Sequence, residues 1–277
     1  MSTVLSGIPV VEASPEVSSL RPPALWKMPL YTGPVEALEA KERALAERLA
    51  GIASRFFRAR FATSLAAEDM VLTDAILRGN AGVRAGIRVF TLNTGRLHAE
   101  TLAVIDQVES HYGYTIEQFT PDSEAIENYL KKHGENAFYE SVDLRKSCCG
   151  IRKVEPLNRA LSHADAWMTG QRREQAVTRA ELPFEEMDDA RGIPKFNPLA
   201  DWTEAEVWAY LTRHNVPVNA LHAKGYPSIG CEPCTRAVKA GEDVRAGRWW
   251  WESKDSKECG LHEQNIKHQE GATTWAS

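Results

Sequence analysis

The sequence predicts an α/β fold: a mostly parallel sheet with helices on both faces and a loop-rich C-terminal cap. Three observations predict it. Short apolar runs alternate with helix-patterned runs from Arg60 to Gly170. Each helical run separates one strand from the next, as crossovers between parallel strands require. After Gly170 the alternation stops, and from Tyr226 onward the chain is rich in Cys, Gly, Trp and charge.

The elements follow in order. Pro9, Pro15, Pro22, Pro23, Pro29 and Pro34 break up residues 1–35, which read as a flexible or surface-wrapping arm. From Val35 to about Phe56 an amphipathic helix places Leu38, Leu45, Leu49, Ile52 and Phe56 on one face. Arg60–Leu65 is a strand, Glu68–Gly79 a helix, and Ile87–Leu92 a continuous apolar strand. Arg96–Gly113 is a helix ended by glycine, Tyr114–Pro121 is a strand, and Ser123–Gly134 is another glycine-ended helix. Val154–His163 leads as a helix into the strand Asp165–Gly170. Beyond Gly170 turns dominate, apart from one helix at Thr203–His214, where Thr203 and Glu206 have capping-box spacing. In sheets of this kind ligands sit at the carboxyl ends of the strands.

Composition narrows the function. Lys and Arg number 33 against 38 Asp and Glu, a formal net charge of −5, so a general polyanion-binding surface is not expected. Any anion site must be a local basic cluster. No apolar run approaches the ~20 residues that span a bilayer. The first residues lack a basic n-region, so no secretory signal is read and a cytoplasmic, reducing compartment is expected. Five cysteines there point to metal or catalysis rather than disulfides.

Four of the cysteines form two pairs. Cys231 and Cys234 have the two-residue spacer with which thiolates share a metal centre. Cys148 and Cys149 are adjacent, an arrangement that a larger object with separate irons accommodates more easily than a single ion. The set therefore fits a four-iron cluster or a four-Cys zinc site, with a redox-active disulfide at Cys231/Cys234 as the rival. Cys259 stands apart in KECGLH, where Lys257 and His262 favour its thiolate.

Basic residues recur beside these cysteines and at strand ends. Lys153 follows Cys149 by four residues, so a helix starting there projects it beside the metal centre. Arg172, Arg173 and Arg179 follow the last strand, and Arg245 and Arg248 precede Trp249, Trp250 and Trp251. Three such clusters on one edge of an acidic protein suit an anionic small molecule held by phosphate or sulfate oxygens. The passage Thr63–Asp69 is only loosely a phosphate loop, since it lacks glycine and is not a Walker sequence.

The stretches KSCCGIRKVEPLNRAL, GQRREQAVTRAELP, GCEPCTRAVKAGEDVRAGRWWWE and KECGLH resemble the assimilatory adenylyl-sulfate reductases, relatives of the phosphoadenylyl-sulfate reductases. The resemblance runs from about Arg60 to His262. It implies an adenine nucleotide alpha-hydrolase-like (Rossmann-like) fold and one [4Fe-4S] cluster on Cys148, Cys149, Cys231 and Cys234. It implies that Cys259 attacks the sulfate sulfur of adenosine 5′-phosphosulfate, that AMP leaves, and that thioredoxin (or glutaredoxin) releases sulfite from the resulting S-sulfocysteine. By the same resemblance Lys153 links cluster and sulfate, and Arg245 and Arg248 hold the phosphosulfate. Arg179 matches the last arginine of the RREQ…R pattern, His262 belongs to the catalytic tail, and Gly170, the Leu92 backbone and Ser64 border the nucleotide. Leu65 and Ala66 stand where the family commonly has Ser-Gly, and Asn93 where Asp is common. The chain then divides into a flexible arm (1–35), a nucleotide-binding α/β domain with the first cysteine pair (36–225), and a cluster-binding segment with the catalytic tail (226–277).

Other readings remain. A 3′-phosphoadenylyl sulfate reductase or a dual-specificity enzyme shares ECGLH, but such reductases generally lack the paired cysteines. A nucleotide-activating enzyme of the same fold would carry a glycine-containing pyrophosphate loop. A four-Cys zinc interaction module leaves Cys259 without a role. No nucleic acid and no membrane are expected as partners, and assembly into a homo-oligomer is left open.

Overall fold

The computed structural model describes residues 23–176 and 179–253. Its elements in chain order are α1 (Val35–Arg55), β1 (Ala59–Thr63), α2 (Ala67–Leu77), α3 (Ala81–Gly86), β2 (Ile87–Leu92), α4 (Ala99–Tyr112), β3 (Glu117–Phe119), α5 (Ser123–His133), α6 (Val142–Cys149), α7 (Glu155–Leu161), β4 (Ala166–Met168), β5 (Glu185–Asp188), β6 (Ile193–Phe196) and α8 (Glu204–Arg213). The six strands lie in the order β3-β2-β1-β4-β6-β5. β1 pairs in parallel with both β2 and β4, and only the edge strand β5 is antiparallel to its neighbour. The succession β1, β2, β3 grows the sheet one way and β4 begins the other, so strand order reverses between β1 and β4.

The helices form where their local chemistry says they should. α1 buries Leu38, Leu45, Leu49 and Ile52, the stripe expected from their spacing. α4 stops at Gly113, whose φ of +58° is left-handed, and α8 starts at Thr203 with both capping-box hydrogen bonds made to and from Glu206. α1, α2, α4 and α8 contribute to one large core that includes Leu49, Met70, Val104 and Leu211. On the opposite face Leu157 and Leu161 of α7 pack with Phe90 and Trp167. Each such fully buried side chain contributes roughly 1.5–3 kcal/mol, so helices on both faces hold the sheet that carries the site.

Besides the short helix α3, which the sequence reading did not include, two regions differ from it. The segment after Gly170, read as turns, contains the hairpin β5–β6, and β6 joins the sheet in parallel beside β4. Pro183, Gly192, Pro194 and the run Glu185–Glu186 hide a strand signal there. The hairpin survives because Pro194 lies outside the two-residue register with β4, which uses only Lys195 and Phe196. Second, α6 runs through a π-helical turn, Gly150–Val154, into α7, giving one continuous helical stretch through both adjacent cysteines. Ser147, Cys148, Cys149 and Gly150 have weak helix propensity, so the pattern does not show it.

Residues 23–34 of the expected arm run across the C-terminal segment. Trp26 N–H donates to the Val238 carbonyl at 2.8 Å, and its ring lies 6.3 Å from that of Trp208. Among the described residues no helix is long and apolar enough to cross a membrane.

Candidate active site

A cavity of about 220 Å³ opens at the carboxyl ends of β1, β2 and β4, at the point where strand order reverses. Of the residues singled out from sequence, Ser64, Leu92, Lys153, Gly170, Arg179, Arg245 and Arg248 all line it. Arg172 lines it too, buried and donating to the Trp202 carbonyl at 3.2 Å. Arg173 does not converge with them; its Nε donates to the Leu182 carbonyl at 2.8 Å and its guanidinium stacks on Phe184.

The turn after β1 is built without glycine. Leu65 takes a left-handed φ of +62° and is fully buried, so its side chain anchors the loop in the core. Asp69, in the first turn of α2, accepts from Ser64 N–H at 2.6 Å and from Ser64 Oγ at 2.5 Å. It also accepts from the Gly170 backbone, so one carboxylate joins the ends of β1 and β4. A Cβ on Gly170 would fall on Asp69 Oδ1, which explains glycine at this position. Burial pushes the Asp69 carboxyl up to about 7, the Glu68 charge adds to this, and the Ser64 and Gly170 hydrogen bonds oppose it. Burial likewise pushes Glu204, on the same wall, up to about 7. Asp69 and Glu204 are residues to which the sequence reading gave no role; the apolar run Met70, Val71 and Leu72 directly after Asp69 on α2 is the signal that could have found the first.

A second cavity, of about 20 Å³, is lined by Cys148, Cys149, Cys231 and Cys234. The helical stretch through α6 and the π turn delivers the first pair. The second pair sits on a short turn that Leu97 bridges at Cys231 and that Tyr139 ties down by a 2.8 Å hydrogen bond to the Pro233 carbonyl. Thr94 Oγ1 lies 3.2 Å from Cys231 Sγ. Arg96, Arg145, Arg152 and Lys153 line the same cavity. Burial raises the Cys148 thiol against the pull of Arg152, and raises Cys234 to about 11. Among the described residues no group of three or more His, Cys, Asp or Glu is gathered as ligands of one ion. The four thiols instead surround a space, inside a shell of four basic side chains. That donor set fits an anionic thiolate-bound group larger than a single ion.

Lys153 lines both cavities. It sits in the π turn, a helical irregularity often found at functional sites. Trp249 is buried and also borders the larger cavity, whereas Trp250 is exposed. Cys259 and His262 lie outside the described residues.

Fold and site together define a class: an α/β protein with a pocket lined by Lys153, Arg179, Arg245 and Arg248 at its topological switch point and a cavity lined by four cysteines against it. The model of the phosphoadenosine phosphosulfate reductase domain family matches residues 58–237. A protein of Burkholderia cepacia named adenosine 5′-phosphosulfate reductase is 68% identical over 81% of this chain and 88% of its own length. A Neisseria meningitidis protein of the same name is 57% identical, covering 87% of this chain and 98% of its own. The crystal structure of phosphoadenylyl-sulfate reductase from Candida auris, a phosphate complex, superposes with a TM-score of 0.60 at 27% identity, covering 75% of this chain and all of the other. The chain belongs to the phosphoadenosine phosphosulfate reductase domain family and is an oxidoreductase.

Proposed function

We propose that this chain reduces adenosine 5′-phosphosulfate to sulfite and AMP, with thioredoxin as reductant, in cytoplasmic sulfate assimilation. The observation that carries the reading is the shared Lys153: an anion pocket and a four-cysteine cavity meet at one cation. The names of the relatives at 57% and 68% identity support the substrate.

In this reading Lys153, Arg179, Arg245 and Arg248 hold the phosphate and sulfate oxygens. Ser64, the Leu92 backbone and Gly170 border the nucleoside, and His262 serves the catalytic tail. The Cys259 thiolate attacks the sulfate sulfur, the bond from that sulfur to the bridging oxygen breaks, and AMP leaves with the electron pair. Cationic contacts that strengthen as charge moves onto the phosphate lower the barrier. Cys259 then carries an S-sulfo group. A thioredoxin thiolate attacks its Sγ, sulfite leaves, and the second thioredoxin thiol resolves the mixed disulfide, so one dithiol supplies both electrons. Cys148, Cys149, Cys231 and Cys234 would hold a [4Fe-4S] cluster, which supplies a buried charged neighbour to Lys153 and carries no electrons in this scheme.

The test is thioredoxin-dependent sulfite release by anaerobically purified protein, offered adenosine 5′-phosphosulfate and its 3′-phospho form in parallel. Release from the first substrate, abolished by Cys259→Ser, is the expected result. Comparable release from both makes the enzyme dual-specific. No release from either, by protein shown to carry iron, overturns the reading. A colourless zinc protein would instead bring the interaction-module reading forward.

A further inference from the structure

Trp249 is held in a conformation that bulky residues avoid. Its φ is +41°, in the left-handed region, and its side chain is 1% exposed. Two guanidinium groups hold the ring. Arg145 Cζ lies 4.6 Å from its centroid and Arg248 Cζ 4.8 Å. Arg145 stands on α6 three residues before Cys148, is fully buried, and lines the cysteine cavity. Its Nε and Nη2 donate to the two carboxylate oxygens of Glu252, each at 2.9 Å. Glu252 N–H closes the turn onto the Trp249 carbonyl at 2.9 Å, and Trp249 N–H donates to the Cys234 carbonyl at 3.2 Å. On the other side Arg248 reaches the anion pocket, where its Nη1 donates to the Ile229 carbonyl at 3.2 Å. A Cβ on Gly230 would fall on the Arg248 guanidinium, so glycine at 230 leaves the room that side chain occupies.

These contacts form a contiguous path. The helix bearing one cysteine pair grips Glu252 through Arg145, the backbone of the other pair grips Trp249, and the Trp249 ring abuts the pocket arginine. A buried bidentate ion pair is a device for geometry more than for stability. We propose that Trp249 is a positioning residue: seated by Arg145–Glu252, it sets Arg248 in the anion pocket and couples the four-cysteine centre to that pocket by a route separate from Lys153. The choice of AMP as a probe rests on the function proposed above; the coupling itself does not.

The test is a double-mutant cycle on the full-length protein, read as the Kd for AMP and for inorganic sulfate by calorimetry. One arm replaces the ion pair by an apolar pair, Arg145→Met with Glu252→Leu, which removes both charges of that pair together. The other is Arg248→Gln. The expected result is about a tenfold loss of affinity from the first arm when Arg248 is present, and less than about twofold when it is not. Trp249→Leu reproduces the loss and Trp249→Phe, which keeps a ring between the two cations, stays within about threefold of the parent. If the ion-pair variant does not fold, Trp249→Leu crossed with Arg248→Gln runs the same cycle. Equal losses with and without Arg248, or no loss at all, overturn the coupling. Sulfate binding without AMP binding by the parent protein overturns the nucleotide reading, while the sulfate arm still decides the coupling.

Discussion

Replacing Asp69 by asparagine tests whether one buried carboxylate joins the two strand ends that frame the pocket. Burial holds its carboxyl at about 7 in the folded chain, against an ordinary 3.8. The sign follows from that direction. Between these two values the folded state holds a proton that the unfolded state has released, so the contribution favours folding at low pH and is lost as pH rises toward the folded value. From about pH 5 to about pH 8 the loss integrates to roughly 2–3 kcal/mol. The asparagine side chain does not titrate. Its amide turns one N–H toward donors on Ser64 or Gly170, costing about 1–3 kcal/mol, the same at every pH. Urea unfolding of both proteins at the two pH values separates the effects, because whatever the cysteine centre and Glu204 contribute is common to both at each pH. Parent stability should fall between the two pH values by about 2–3 kcal/mol more than that of Asp69→Asn. If the two proteins change in parallel, to within about half a kcal/mol, Asp69 is not the buried proton-holding group described here.

Two further substitutions probe the same frame. Leu65→Ala removes a fully buried side chain and should cost about 2–5 kcal/mol, whereas Leu65→Gly loses slightly more packing but relieves a left-handed strain of roughly 1–2 kcal/mol. Unfolding free energies from urea titration of the two should therefore lie within about 1 kcal/mol of each other, and glycine trailing alanine by more than about 2 kcal/mol would show that the turn carries no strain. Gly170→Ala places a methyl against Asp69 Oδ1, so AMP affinity measured by calorimetry should fall at least about tenfold, with about 1–3 kcal/mol of stability lost to overpacking. Unchanged affinity would mean that this strand end does not frame the nucleotide.

Much of the scaffold is legible in the sequence because its signals are local. The Leu38, Leu45, Leu49 and Ile52 stripe, the Thr203–Glu206 capping box and the glycine ends of α4 and α5 depend on residues within a few positions of one another. The alternation of strands and helices then implies a parallel sheet, and with it a site at the strand ends. The hairpin β5–β6 escapes this logic. Its pairing with β4 joins residues far apart in sequence, and the pattern of its own residues is that of a turn.

The site divides in the same way. Residue types and their spacing are enough to say which groups could do chemistry: a two-residue cysteine spacer beside an adjacent cysteine pair, and basic residues outnumbered by acidic ones and so bound to act in local clusters. They could not decide which of those cations meet. It is folding that turns Arg173 away to Phe184, brings Arg172 into the pocket, and stands Lys153 between the two cavities. Nor could spacing place Arg145 against Glu252, a pair 107 residues apart, or bury Asp69 beneath Gly170. One cause is common to all of these. Propensity, periodicity and ligand spacing are properties of a short stretch of chain, whereas burial, shifted ionisation and ion pairing are set by whichever distant segments the folded core brings alongside.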